Sequence, residues 1–215
     1  MKHIKYIIAL SLTICFLGCE KTEEIHNTAD KVGISRVTYF PVFTMKGDKY
    51  ISIVKGGTFT DPGVTAKEGE SDLTVQTTGS VNVNTAGVYD ITYSATNKDN
   101  FSASVTRTVA VLPAAEQQGV DISGKYTYVS NSSYIATIQK LAAGFYLVDN
   151  VWGASDIPSY IITTDGMNLT LPLNTLSGYG PVQGSGTLDA AGNLTYTVDL
   201  LAYGFTGISR KWKKQ

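Results

Sequence analysis

Gly87-Val88-Tyr89-Asp90-Ile91-Thr92-Tyr93-Ser94-Ala95-Thr96 is the stretch whose pattern decides the fold. Tyr89, Ile91, Tyr93 and Ala95 fall on one side of an extended backbone, and Asp90, Thr92, Ser94 and Thr96 on the other. This is the period-two signature of a half-buried strand. Asn97-Lys98-Asp99-Asn100 then supplies turn residues. The chain returns with Ala103, Val105, Val109 and Val111 on one face and Ser102, Ser104, Thr106 and Thr108 on the other. Arg107 interrupts the apolar face, where its stem is expected to pack while its charged head reaches the edge. A long antiparallel hairpin follows.

Upstream, residues 49–54 and 73–77 read as shorter strands, separated by Gly56-Gly57 and Asp61-Pro62-Gly63. Three motifs now stand in order. They are Gly57-Thr58-Phe59-Thr60-Asp61-Pro62-Gly63-Val64-Thr65-Ala66, Gly87-Val88-Tyr89-Asp90-Ile91-Thr92-Tyr93, and Thr106-Arg107-Thr108-Val109-Ala110-Val111. Together they resemble the bacterial surface-protein immunoglobulin-like family over about residues 35–112. The resemblance implies a β-sandwich, set here at residues 32–112, that serves as a spacer or adhesion module. It brings no catalytic residues. Asn97-Lys98-Asp99-Asn100 departs from the Asp-x-x-Gly-Asn turn commoner in that family.

Residues 113–120 (PAAEQQGV) read as a linker by composition, and residues 121–215 as a second β domain. Its strand candidates are 125–130, 134–141, 144–151, 159–164, 168–173, 182–188, 194–201 and 205–213. Turns stand at Ala143-Gly144, Asp165-Gly166 and Ala191-Gly192-Asn193. Leu169, Leu171 and Leu173 alternate with polar or turn-forming neighbours, as do Tyr196, Val198 and Leu200. Eight short, evenly spaced strands predict an antiparallel meander, closing into a lipocalin-like barrel or flattening into a sandwich. Asp121-Ile122-Ser123-Gly124-Lys125-Tyr126 and Ile208-Ser209-Arg210-Lys211-Trp212 resemble the C-terminal β domain of small Bacteroides lipoproteins, which implies no transferable activity. The expected fold class is all-β. Low charge (16%) with 13 Tyr and 21 Gly agrees, because such residues suit strands and tight turns.

The first 18 residues stand outside this fold. Lys2 and Lys5 form a positive start, and residues 6–16 an apolar run of signal-peptide length, too short for a bilayer span of about 20 residues. Phe16-Leu17-Gly18-Cys19 closes the run and resembles the bacterial lipobox. The resemblance implies cleavage before Cys19, its acylation, and a membrane partner through the attached lipid. Phe16 replaces the Leu usual at that position. Residues 19–31 then form an acylated polar tether. Glu20, Glu23 and Glu24 resemble the export tag of surface lipoproteins in Bacteroidota, which implies an outer-membrane anchor facing the exterior; a plain spacer is the other reading. With Lys2 and Lys5 removed, the 17 basic residues fall to 15 against 18 acidic ones, a net of −3. Such a balance gives no bulk attraction to nucleic acid.

The chain's chemistry is narrowed by what the fold omits. His3 and His26 lie in the signal and tether, and Cys15 and Cys19 precede the domains. Residues 32–215 therefore offer no Ser-His-Asp or Cys-His catalysis, no His or Cys metal site, and no haem ligation. No P-loop or strand–GxGxxG–helix unit appears, no calcium loop is spelled, and no cofactor is expected. Two carboxylates alone could hydrolyse a glycoside; Asp149 and Asp156, flanking Trp152, are the pair to name. The positive signal is aromatic. Eight tyrosines and both tryptophans lie in the second domain. Tyr126, Tyr146 and Tyr196 belong to strands and so to the core, and Trp212 to barrel closure. Trp152 and Tyr179 sit in Gly-flanked loops, where a large ring has less packing reason to exist. Flat rings beside polar groups suit sugars, whose ring faces are apolar and edges polar. The candidate ligand-binding set is Trp152, Tyr179, Asp149, Asn150, Asp156 and Tyr160. The expected function is non-catalytic glycan binding at the cell surface. A structural or adhesive module contacting another outer-membrane protein is the alternative, and a carboxylate glycosidase a further one.

Overall fold

The computed structural model describes residues 31–32, 35–176 and 178–215. The signal, Cys19 and the tether up to residue 30 lie outside the described residues. Two units separate, one ending at Tyr39 and one spanning Phe40–Gln215. In the first, β1 (Lys31–Val32) pairs antiparallel with β2 (Ser35–Arg36).

The second unit begins with a sandwich. One sheet joins β3 (Val42–Met45), β5 (Val64–Glu68) and β6 (Ser71–Leu73). The other contains β4 (Tyr50–Val54), β7 (Gln76–Thr78), β8 (Gly87–Thr96) and β9 (Ser102–Leu112), in the order β4-β9-β8-β7. The β8–β9 hairpin forms with Thr96 opposite Ser102. Ile91, Tyr93 and Ala95 are buried with Val109, Val111 and Ala66, as the alternation requires. At the turn, Asn100 takes a positive φ of 65°, a conformation Asn tolerates better than most side chains. The side-chain oxygen of Asn97 accepts from the backbone N–H of Asp99 and Phe101.

Arg107 does not reach the edge. It is fully buried, and its guanidinium is surrounded by acceptors. Nε donates to the Asp48 carbonyl at 3.0 Å, Nη2 to the Lys46 carbonyl, and Nη1 to Asp61 and to Tyr93 Oη (2.9 Å). A buried cation is tolerable only when paired and hydrogen-bonded. Asp61, Tyr93 and Arg107 come one from each of the three family motifs, so the motifs are read in space as one polar lock.

After β9, eight strands make a closed antiparallel meander, β10 to β17. They are β10 (Gly124–Tyr128), β11 (Ile135–Ala142), β12 (Phe145–Val148), β13 (Ser159–Ile162), β14 (Asn168–Asn174), β15 (Val182–Leu188), β16 (Asn193–Leu200) and β17 (Phe205–Lys214). A 3-10 turn, Leu201–Tyr203, precedes the last. All eight candidates form, and closure decides for the barrel over the flattened sandwich. The closing contact pairs Tyr128 of β10 with Trp212 of β17. Tyr126, Tyr146, Tyr196 and Trp212 are buried, and with Ile138, Leu171, Leu194 and Val198 they fill the interior. An eight-stranded barrel of this kind is a packed core more than a pore. Leu173 departs from expectation. The register of β14 shifts after Leu171, and Leu173 turns outward, 58% exposed.

Sandwich and barrel share a second core. Ala110 and Leu112 of β9 pack with Phe145, Tyr160 and Ile162. This explains why the end of β9, all of β12, and Tyr160, Ile161 and Ile162 of β13 are apolar without alternation. Val109 and Val111 face the sandwich while Ala110 and Leu112 face the barrel. Tyr146 and Ile161 fill the barrel while Phe145 and Tyr160 meet the sandwich. Strands buried on both faces lose their alternation. The 113–120 segment, loose by composition, is held. Glu116 accepts from the Gly144 N–H (2.8 Å), from Tyr146 Oη (3.0 Å) and from Lys140 Nζ (2.9 Å), and the Gln117 N–H donates to the Thr164 carbonyl.

Candidate functional site

The loop between β12 and β13 is built on Asn150, which is buried. Its side-chain oxygen accepts from the backbone N–H of Trp152 and of Gly153, both at 2.8 Å. Its amide nitrogen donates to the Gly153 carbonyl (2.9 Å) and to Asp156 Oδ1 (3.1 Å). An amide making four bonds has spent its capacity on the protein. Asn150 therefore sets the Trp152 loop and is not itself open to a ligand. Trp152, half-buried, packs against the barrel core.

Two further connections arrive at the same end of the barrel. Tyr179 lies between β14 and β15, Tyr203 ends the 3-10 turn between β16 and β17, and Phe205 opens β17. They are drawn together at Gly180, which has φ +79°, and whose added Cβ would stand 2.7 Å from Ala202 Cβ. Only glycine permits both that conformation and that approach. Leu201 N–H donates to the Pro181 carbonyl across the same junction. From the other side, Asp199 accepts from the Gly207 N–H (2.7 Å) and from Gln183 (3.1 Å). The Gly207 N–H is the main cause holding this carboxyl below its ordinary range.

The rings form a chain. Trp152 and Phe205 stand 5.8 Å apart at 30°, Phe205 and Tyr203 6.5 Å apart at 10°, and Tyr203 and Tyr179 6.2 Å apart at 47°. The guanidinium of Arg210 lies 3.7 Å from the Trp152 ring centroid. Tyr203 and Phe205 are 56% and 45% exposed. With Ser155, Ile157 and Leu200 the four rings line a cleft of about 110 Å³. That is well below the roughly 300–1,000 Å³ of an enclosing small-molecule pocket. The arrangement is a shelf on which a ring can rest.

Trp152 and Tyr179, far apart in sequence, are thus brought to one cleft. Asp156 is exposed beside it and partnered by Asn150. Asp149 is not on the shelf; its Oδ1 accepts from the Thr137 N–H at 2.7 Å, extending the β11–β12 pairing. Tyr160 is a correction: it is buried at the sandwich, 5.0 Å from Phe145, because both faces of β13 are covered. Tyr203, Phe205 and Arg210 were not among the expected residues. Tyr203-Gly204-Phe205 carried the same signal of rings beside glycine, and Arg210 shares the alternation of Trp212. Between the sandwich strand β8 and the outer wall of the barrel lies a further, open groove of about 430 Å³, with Tyr89 and Pro113 on one side and Pro172 and Leu173 on the other. It continues past Gln183 and Asp199.

Comparison with known proteins bears chiefly on the sandwich. Residues 43–111 match the family described as bacterial surface protein, Ig-like domain, within the stretch where the three motifs led one to expect that likeness. Among solved structures, a lipoprotein of Bacteroides thetaiotaomicron is similar at 28% identity and a TM-score of 0.40, over 82% of this chain and 100% of that one. Two structures of Clostridium perfringens ZmpB are more distant. One is the CBM51-2 in complex with GlcNAc and INT domains, at 15% identity and a TM-score of 0.31, over 60% of this chain and 30% of that one. The other is the M60 catalytic domain with CBM51-1 and CBM51-2, at 12% identity and a TM-score of 0.32, over 62% and 15%. No curated protein matches the chain.

Proposed function

We propose that this protein is a lipid-anchored lipoprotein of the outer-membrane surface that binds glycan at the end of its barrel where the Trp152, Tyr179 and Tyr203 loops meet. The observation that carries the reading is the shelf of Trp152, Phe205, Tyr203 and Tyr179. Three connections, each fixed by its own hydrogen bonds, bring four rings to one place and leave Tyr203 and Phe205 half in water. Exposing such rings is unfavourable unless something covers them. A pyranose offers an apolar face to a ring and hydroxyls to the polar groups at its edge. Display rests on the lipobox at Cys19, with Glu20, Glu23 and Glu24 behind it as the sign of the outer face. The core shared by sandwich and barrel suits a spacer that lifts a binding end away from a membrane. The reading includes no catalysis.

The test is binding of the full-length protein to a broad polysaccharide array, with Trp152→Ala and Tyr179→Ala in parallel. Binding that both substitutions weaken supports the shelf. Silence across the array, or binding indifferent to both, overturns it. A second reading has one observation in its favour: the open groove between sandwich and barrel at Tyr89, Pro172 and Leu173. A protein partner seated there would make the chain an adhesive module. Leu173→Asp would then abolish capture of that partner while leaving the shelf's rings untouched.

A further inference from the structure

We infer that the glycan held at the aromatic shelf is acidic, and that Arg210 receives its carboxylate. The inference rests on the glycan reading above and deepens it. It comes from how differently this chain treats its two arginines among the described strands of the second unit. Arg107 is enclosed by a carboxylate, a tyrosine hydroxyl and backbone carbonyls. Arg210 has the Ser209 carbonyl at 3.3 Å and the face of Trp152. Among the described residues it belongs to none of the ion pairs. Its Nε is buried without a hydrogen-bond partner.

Register says where this arginine points. Arg210 stands opposite Tyr196, between the pairs Val198–Ile208 and Leu194–Trp212. Tyr196, Val198, Leu194 and Trp212 all belong to the barrel interior. Arg210 is therefore on the inner face of β17, at the end where Trp152 closes over it. Tyr196 Oη and Trp212 Nε1, its neighbours on that face, are also buried without partners. A row of unspent donors on the inside of an otherwise apolar barrel is costly. The cleft's lining includes no carboxylate; Arg210 is not itself part of that lining but stacks on Trp152, which is.

A guanidinium is a planar fork of five donors that matches a carboxylate in two parallel bonds. Stacking on Trp152 holds that fork flat, so little freedom remains to be lost when an anion arrives. The shelf and the fork together describe a sugar whose ring rests on the aromatics while its carboxylate turns to Arg210. A hexuronate residue has that form.

The experiment compares polygalacturonate, alginate and hyaluronate with their methyl-esterified forms, in which the charge is removed and the sugar kept, using the full-length protein. At least one acid polymer should bind tenfold or more tighter than its ester. Arg210→Gln should erase that difference, and Arg210→Lys, which keeps the charge but loses the fork, should restore only part of it. Dextran sulfate binding as tightly as the best uronate would overturn the choice of carboxylate. Esters binding as well as acids, with binding still dependent on Trp152, would overturn the acidic ligand and leave the glycan reading standing. No binding to any polymer would remove both. Should Arg210→Gln fail to fold, the acid-against-ester comparison on the unaltered protein decides alone.

Discussion

Leu112 of the sandwich and Gly144 of the barrel meet so closely that a Cβ on Gly144 would lie 2.9 Å from Leu112 Cδ1 and 2.8 Å from the Thr163 carbonyl oxygen. The glycine also holds a φ of +63°. Barrel and sandwich can approach to this distance only where there is no side chain between them.

Gly144→Ala should therefore destabilise the protein by about 2–5 kcal/mol, summing a left-handed backbone penalty and overpacking. Denaturant unfolding measures it. An unchanged midpoint would mean that the contact relaxes freely.

Leu112→Ala should cost about 2–5 kcal/mol, the range for emptying a buried leucine site. Because Leu112 belongs to a core shared with Phe145, Tyr160 and Ile162, hydrogen exchange should quicken in β12 and β13 as well as in β9. Quickening in the sandwich alone would deny that the two halves are coupled.

Asp61→Asn removes the charge beside buried Arg107 and should cost about 3–5 kcal/mol. Burial pushes the Asp61 carboxyl up, but the Tyr93 hydroxyl, the Gly63 N–H and Arg107 outweigh it, and the net shift is downward from 3.8. A lowered folded value means that this contribution is complete above about pH 4 and is lost as pH falls through the folded value. Melting temperature followed from pH 6 to pH 2 should fall less steeply in the variant than in the parent. Parallel curves would assign the acid sensitivity elsewhere.

Asn150→Ala strips acceptors from the Trp152 and Gly153 N–H groups and should cost about 2–4 kcal/mol. It should also shift Trp152 fluorescence to the red and weaken glycan binding, although Asn150 touches no ligand. Intact binding would show that the loop keeps its shape without this amide.

Tyr203→Ala and Phe205→Ala should each change stability by less than about 1 kcal/mol, since both rings are half in water. Each should weaken glycan binding by up to about tenfold, the effect of roughly 1.4 kcal/mol of ring contact. Binding unaffected by both would leave the shelf without a role.

How much of this was legible beforehand varies by element. The hairpin at Gly87–Thr96 and all eight barrel strands could be read from alternation and turn residues. Tyr126, Tyr146 and Tyr196 could be placed in the core for the same reason. Arg107 was placed on the right face but not in its lock, because Asp61 and Tyr93 are 46 and 14 residues away. The sequence leaves Tyr160 open to a loop-end ligand role because a strand buried on both sides does not say which ring faces which neighbour. Residues 113–120 carry the composition of a loose connector, and their order comes from Glu116 meeting Lys140, Tyr146 and Gly144.

Trp152 and Tyr179 were visible as rings without a packing reason, and Cys19 as a residue behind a small neighbour after an apolar run. That is the share the sequence determined by itself: all-β character, strand positions, which face of most strands is buried, and the expectation of an anchor. Each is a local property, written within a few residues by periodicity, turn chemistry or spacing. Barrel closure, the shared core at Leu112 and Gly144, and the meeting of Trp152 with Tyr179, Tyr203, Phe205 and Arg210 were decided by tertiary structure. Periodicity records that a face leaves water. It carries no record of what covers that face, and contacts between loops dozens of residues apart exist only once the barrel has brought their ends together.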